Sequence, residues 1–149
     1  AGKAGLPYNL DNWGGYPQAR SRILAAAQKN DLDLVVVTGD SHNAWAFDLP
    51  EGGRPAGVEF GGHSVSSPGL ESSTVGVDPK RIARDILDHN KQELRWVDTS
   101  NRGYMHLSMT PKAATNEWVF MDTVKDLSLN TKPGHKMLVH PGRKVLEQA

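Results

Sequence analysis

The stretch Leu32-Asp33-Leu34-Val35-Val36-Val37-Thr38 constrains the fold of this chain more than any other. It is short and nearly continuous in apolar, β-branched residues, the pattern of a strand buried on both faces. The segment before it, Tyr16 to Asn30, reads as a helix. Pro17 suits a first helical position, and Ala19, Ile23 and Ala27 recur at i, i+4 spacing with Leu24 beside them. Directly after the strand come Gly39-Asp40-Ser41-His42. Helix, buried strand, then a polar loop with glycine is α/β grammar, and in such sheets chemistry gathers beyond the carboxyl ends of the strands.

Ala44 to Leu49 and Gly57 to Phe60 are further strand candidates, with a turn or surface loop at Pro50 to Pro55. Gly61 to Pro68-Gly69 is rich in Gly, Ser and Pro, a loop able to approach a ligand closely. Asp78 to Asn90 reads as a helix capped by Asp78 with Pro79 just inside. Leu94 to Val97 fits no single class. Tyr104 to Met109 and Glu117 to Val124 are expected to form an antiparallel hairpin across the connection Thr110 to Thr115. Ala1 to Leu10 forms no convincing element. His135 to Ala149 reads as polar and strand-poor, with a short final helix from Lys144.

A chain of 149 residues is enough for one domain with a real core. Lys and Arg total 17, and Asp and Glu total 17, so the basic excess of a nucleic-acid binder is missing. No apolar run approaches the roughly 18 residues of a spanning helix. Cysteine is absent, which removes disulfides, thiolate ligands and cysteine nucleophiles from this chain and leaves its redox compartment open.

Asp40 and His42 are the sharpest chemical pair. They lie two apart on a loop that leaves the most strand-like run, so both side chains can turn toward one point. Carboxylate and imidazole together suit first-row metals, and the carboxylate also suits calcium. A metal there could polarise a phosphoryl oxygen and acidify bound water. The plainer alternative is that Asp40 caps a turn and His42 is a satisfied polar residue. Two ligands are too few for a stable site, so others must come from elsewhere in this chain or from another chain. His63 and Ser64 sit in the Gly/Ser loop, where either can meet a ligand. Trp13-Gly14-Gly15-Tyr16 can wall a pocket, with Arg20 one turn into the helix as an anion partner. Asn101-Arg102-Gly103-Tyr104 reads as a tight turn, in which Gly103 takes a backbone shape others cannot and Arg102 can hold a carboxylate or phosphate. His89, His106, His135 and His140 are scattered and read as non-catalytic. There is no phosphate-binding loop and no nucleophile elbow.

Taken in order, these motifs resemble a known family. Asp11-Asn12-Trp13-Gly14-Gly15-Tyr16-Pro17 with Arg20 is similar to the Asp-x-Trp-Asp-Gly-Tyr-Pro…Arg segment of the PhoD-like alkaline phosphatases. Thr38-Gly39-Asp40-Ser41-His42 with Trp45 resembles that family's Thr-Gly-Asp-x-His…Trp segment. Glu59-Phe60 through Ser64 and Ser67 resembles its Glu-Phe…Ser-x-x-Ser segment. Asn101 to Tyr104, followed by Trp118 to Val124, resembles its Asn-Arg-Gly-Tyr turn and closing hairpin. The resemblance runs from about Tyr8 to Val124, and residues 125–149 form a less distinctive tail.

The family belongs to the calcineurin-like metallophosphoesterases. The resemblance therefore implies an α/β fold, the C-terminal portion of a four-layer sandwich with a mixed β-sheet and flanking helices. It implies metal-dependent hydrolysis of phosphate monoesters or diesters in the periplasm or outside the cell. Asp40 and His42 would be late ligands of a two-metal centre, iron with calcium by resemblance, with zinc, manganese or cobalt also admitted by the donors. Trp13, Tyr16, Arg20, Ser64 and Arg102 would meet substrate, and His63 is the candidate catalytic acid. Gly14 stands where the family usually has Asp, so substrate preference is expected to differ. The family's early aspartates, asparagine and cysteine have no counterpart here. Residues 1–149 are thus expected to be completed by a separate N-terminal chain and to be inactive without it. The other readings are a catalytically inactive phosphate- or polyanion-binding half of a complex, and an esterase on the same scaffold.

Overall fold

A computed structural model describes residues 11–149. The expectation for Ala1 to Leu10 lies outside those residues. In chain order the elements are α1 (Pro17–Lys29), β1 (Leu34–Thr38), β2 (Ala44–Glu51), β3 (Arg54–Gly61), α2 (Pro79–His89), β4 (Leu94–Asp98), β5 (Gly103–Met109), β6 (Ala114–Met121), β7 (Thr131–Val139) and β8 (Glu147–Gln148). Short 3₁₀ turns cover Trp13–Gly15 and Leu70–Ser72.

Two four-stranded sheets result, one in the order β1-β3-β2-β4 and one in the order β5-β6-β7-β8. The first is mixed, because β1 runs parallel to β3 while β2 is antiparallel to both its neighbours. The second is antiparallel throughout. The sheets meet face to face: Ala44, Ala46, Val58 and Phe60 of the first pack on Trp118, Phe120, Met137 and Val139 of the second. Trp118 is completely buried and donates its indole N–H to the Gly61 carbonyl at 2.8 Å, tying one sheet to the other. The opposite face of the first sheet receives α1, where Leu24 meets Leu34, Val36, Phe47 and Leu49. Polar links fix the helix in place. Arg20 pairs with Glu93 at 3.1 Å, Ser21 donates to Glu51, and the Gln28 amide donates to the carbonyls of Glu51 and Arg54. The layers are helix, mixed sheet, antiparallel sheet, with α2 beside β4.

The helices follow their sequence signals. Pro17 and Pro79 open them, and the Asp78 side chain accepts from the Lys80 N–H. Five expectations need correction. β1 is covered on both faces only in part: Leu34 and Val36 pack toward α1 and Val35 toward the inter-sheet core, but the strand lies at an edge among the described residues and Val37 is 52% exposed. Pro50 and Pro55 do not form the loop between strands, since pairing continues to Glu51 and Arg54 and only Gly52-Gly53 turns. The hairpin partner is Ala114–Met121, starting and ending three residues earlier than the alternation implied. The region from His135 is not strand-poor. β7 runs through it and places Met137 and Val139 in the core, while its outward residues supply the polar composition. No helix starts at Lys144, whose backbone is left-handed at φ 55° and whose ammonium group pairs with Asp31. Leu94 to Val97, undecided from sequence, pairs with β2 as β4.

Asn116 is fully buried between the sheets, and neither atom of its side-chain amide has a hydrogen-bond partner among the described residues. Such a group carries a desolvation cost of about 1–3 kcal/mol. Asn116→Leu is expected to raise stability by about that amount, read as a higher denaturation midpoint without a change in slope.

Candidate functional site

The carboxyl end of β1 leads into Gly39-Asp40-Ser41-His42, and the chain turns sharply there. Asp40 (φ 69°) and His42 (φ 60°) both occupy left-handed backbone conformations. Asp and His tolerate that region better than most side chains, but it still costs energy relative to glycine. The turn delivers Asp40 to the wall of a cavity of about 790 Å³, shared with Asp11, Trp13, Tyr16, Trp45 and Glu59. The turn carrying Trp13 is capped by Asn12, whose side chain accepts from the Gly14 N–H at 2.9 Å. The pocket-walling role expected for Trp13 and Tyr16 thus has a geometric basis beside Asp40.

His42 is held differently. Its Nδ1 donates to the Pro68 carbonyl at 2.8 Å, and it does not line the Asp40 cavity. With Nδ1 protonated, Nε2 keeps the lone pair, the arrangement in which imidazoles ligate metals. Carboxylate and imidazole remain suitable donor types, but the expected convergence of Asp40 and His42 on one point is not seen, since only Asp40 lines the cavity, and two donors fall short of the four or more a site requires. Among the described residues no group of three His, Asp or Glu side chains is placed to hold an ion.

The other candidates fall elsewhere. Arg20 is engaged with Glu93 and borders a smaller hollow beside Trp13 and Glu59. Ser64 donates to the Ser67 carbonyl within its own loop. Arg102 is 5% exposed and does hold a carboxylate, that of Glu71, together with the Asn101 carbonyl. His63 is 8% exposed, packs edge-on against Phe120 at 5.3 Å and does not line the Asp40 cavity. Neither of its ring nitrogens meets hydrogen-bond geometry with a partner among the described residues, although the backbone of Val119 lies close enough to favour the charged form. Of the expected residues, the structure brings Trp13, Tyr16 and Asp40 together and leaves Arg20, His42, His63, Ser64 and Arg102 outside that wall.

Burial pushes the His63 pKa below its ordinary value of 6.5, and that of His135, stacked on Trp96 at 4.3 Å, shifts the same way. An unfolded histidine takes its proton near 6.5, while the folded His63 resists until a lower pH. Between those two values the unfolded chain binds more protons, so stability falls as pH drops through the window. His63→Leu is expected to flatten that slope in unfolding midpoints measured downward from neutral pH. The residual slope would come from His135.

Glu59, part of the Glu-Phe segment of the family resemblance but given no site role from the sequence, also lines the cavity. It accepts from the Thr38 hydroxyl at 2.6 Å, and burial raises its pKa, with the Arg20 charge opposing. The available signal was a carboxylate in the otherwise apolar run Gly57 to Phe60, which is uncommon in a strand interior unless it faces a cavity or a partner.

Comparison with known proteins gives the chain a family. The profile of the family described as PhoD-like phosphatase matches residues 1–118, about four-fifths of the chain. The chain belongs to the PhoD-like phosphatase family. Alkaline phosphatase D of Bacillus subtilis (strain 168) is 33% identical over 110 residues, which cover 70% of this chain and 18% of that protein. A solved structure described as "Structure of PhoD" superposes with a TM-score of 0.72 over 95% of this chain and 27% of the other, at 21% identity. That likeness carries the fold. The chain spans less than a third of the length of either relative. All the expected site residues of this PhoD-like chain lie inside the matched segment.

Proposed function

We propose that this chain is the C-terminal part of a metal-dependent phosphoesterase acting on phosphate monoesters or diesters. The observation that carries the reading is the delivery of Asp40, by a strained turn at the end of β1, into a cavity walled by Trp13 and Tyr16. The family membership supports the reaction class. Asp40 and His42 would hold metal, and further polypeptide N-terminal to these residues would supply the remaining ligands and complete a four-layer sandwich. Iron with calcium follows from the family resemblance, and the donors themselves also admit zinc, manganese or cobalt. A metal pair would supply Lewis-acid polarisation of the phosphoryl group and a more acidic water.

The chain's own residues then do three things. Asp40 presents negative charge at the cavity wall, where cations gather. His42, fixed through Nδ1, offers Nε2 in one orientation. Trp13 and Tyr16 give an ester's organic group an apolar wall and exclude water from one side. The reading includes a periplasmic or secreted location, in line with the family. No helix among the described residues is long and apolar enough to cross a membrane.

The test is a substrate and metal survey of the intact protein. Phosphate monoesters, phosphodiesters, phosphotriesters and carboxylic esters would be assayed alongside elemental analysis of bound metal. Turnover of mono- or diesters, abolished by chelation and restored by metal, is the expected result. Turnover confined to carboxylic esters or phosphotriesters would favour an esterase. Phosphate binding without turnover of any ester would favour an inactive binding protein.

A further inference from the structure

The loop from Gly62 to Gly69 carries the carbonyl that orients His42, and that loop is anchored at its far end by groups remote from the cavity. The Arg102 guanidinium, 5% exposed, pairs with Glu71. Both oxygens of Glu71 accept from the Gly69 N–H, at 3.1 and 3.2 Å. Burial alone would raise the Glu71 pKa, but the Gly69 N–H and Arg102 hold it below its ordinary value. Asn43, 2% exposed, closes the arrangement from the other side. Its Nδ2 donates to the Ser41 carbonyl, and its Oδ1 accepts from the Leu70 N–H at 3.2 Å. A methyl group on Gly69 would stand 2.5 Å from Asn43 Oδ1 and 3.0 Å from both the His42 carbonyl and Arg102. Gly69 is therefore the point where the loop, the His42 turn and the buried ion pair come closest, one residue from the Pro68 carbonyl.

We propose that Arg102, Glu71 and Asn43 form a positioning clamp that holds the Pro68 carbonyl against His42 Nδ1 and so fixes His42 as the Nδ1-protonated tautomer with Nε2 free. The proposal rests on the reading of His42 as a metal ligand only for its purpose. The clamp and the tautomer are properties of this chain alone. It gives Arg102 a role at a distance from substrate: the arginine sets a loop, the loop sets a carbonyl, and the carbonyl sets which nitrogen the histidine presents. Outer partners of ligating histidines are typically worth about 10–100-fold in metal affinity.

The test uses the intact, metal-stripped protein labelled with ¹⁵N-histidine. Two-bond ¹H–¹⁵N correlations at about pH 8, above the ordinary histidine pKa, report the tautomer. The His42 signals are assigned by their loss in His42→Asn. Wild type is expected to show His42 protonated at Nδ1. Glu71→Ala and Gly69→Ala are expected to give a tautomer mixture, while Glu71→Gln, which keeps an acceptor for Gly69 and Arg102, retains most of the wild-type signature. Arg102→Ala should match Glu71→Ala. Glu71 is the more exposed partner, so its variants keep the test open if Arg102→Ala does not fold. A wild-type tautomer persisting in folded Glu71→Ala and Gly69→Ala overturns the clamp, as does an Nε2-protonated wild type. Mn²⁺ titration of the same samples separates the two ideas. A roughly 10-fold or greater loss of Mn²⁺ affinity in Glu71→Ala supports both. A shifted tautomer with Mn²⁺ binding unchanged in Glu71→Ala and in His42→Asn supports the clamp and removes His42 from the metal site.

Discussion

Asp40→Asn in the intact protein is expected to lower metal affinity by more than about 100-fold, beyond the range that loss of an outer partner produces. Hydrolysis of phosphate esters should fall with it. Asparagine is the informative replacement, because it keeps the shape of the side chain and tolerates the left-handed backbone at this position. What it removes is the charge. His42→Asn should behave in the same direction, since it deletes the imidazole while accepting the same backbone. Elemental analysis after gel filtration and ester hydrolysis at saturating metal provide the two readouts. Undiminished metal in both variants would end the assignment of these residues as ligands. Loss of metal with activity restored by excess metal would identify them as ligands whose only contribution is affinity.

The second large effect concerns the join between the sheets. Trp118→Ala is expected to destabilise the unit containing the two sheets by about 3–5 kcal/mol, the range for truncating a fully buried aromatic residue. Trp118 touches Phe60 across the gap and Trp96 at 4.7 Å, and its N–H is the partner of the Gly61 carbonyl. The alanine variant leaves a cavity and a buried carbonyl without its donor. Trp118→Phe keeps most of the contact area and loses the hydrogen bond, so its cost should be nearer about 1–3 kcal/mol. Chemical denaturation followed by circular dichroism distinguishes the two. Equal losses in both variants would place the whole effect in the hydrogen bond and not in packing.

Sequence and structure agree where the signal is local. α1 and α2 announce themselves by spacing and by a proline at the first turn, and β2, β3 and β5 by short apolar runs. Gly103 is a further case. Its φ of 152° and the Val119 carbonyl, 1.9 Å from where a Cβ would sit, require the residue that the turn reading expected. Agreement ends where meaning depends on partners far along the chain. β7 was missed because only alternate residues face the core, and those facing outward dominate the composition. The apolar run of β1 implied full burial on both faces, while the strand is only partly covered on each and leaves Val37 exposed. The candidate site divides in the same way. Asp40 and Trp13 could be singled out by motif. Glu59 becomes part of the cavity through a contact with Thr38, 21 residues away, and Arg102 finds Glu71 across 31. Neither pairing leaves a trace in spacing.

The left-handed residues at 40 and 42 have a consequence for anyone engineering this protein. Glycine at either position would relieve the backbone and delete the functional group in one step. A library screened for heat resistance alone should therefore enrich glycine at both places and lose the carboxylate and imidazole that the proposed metal site needs. On the proposed reading of Asp40 and His42 as metal ligands, durability and turnover would pull against each other at these two residues, so any such screen needs a turnover assay beside it.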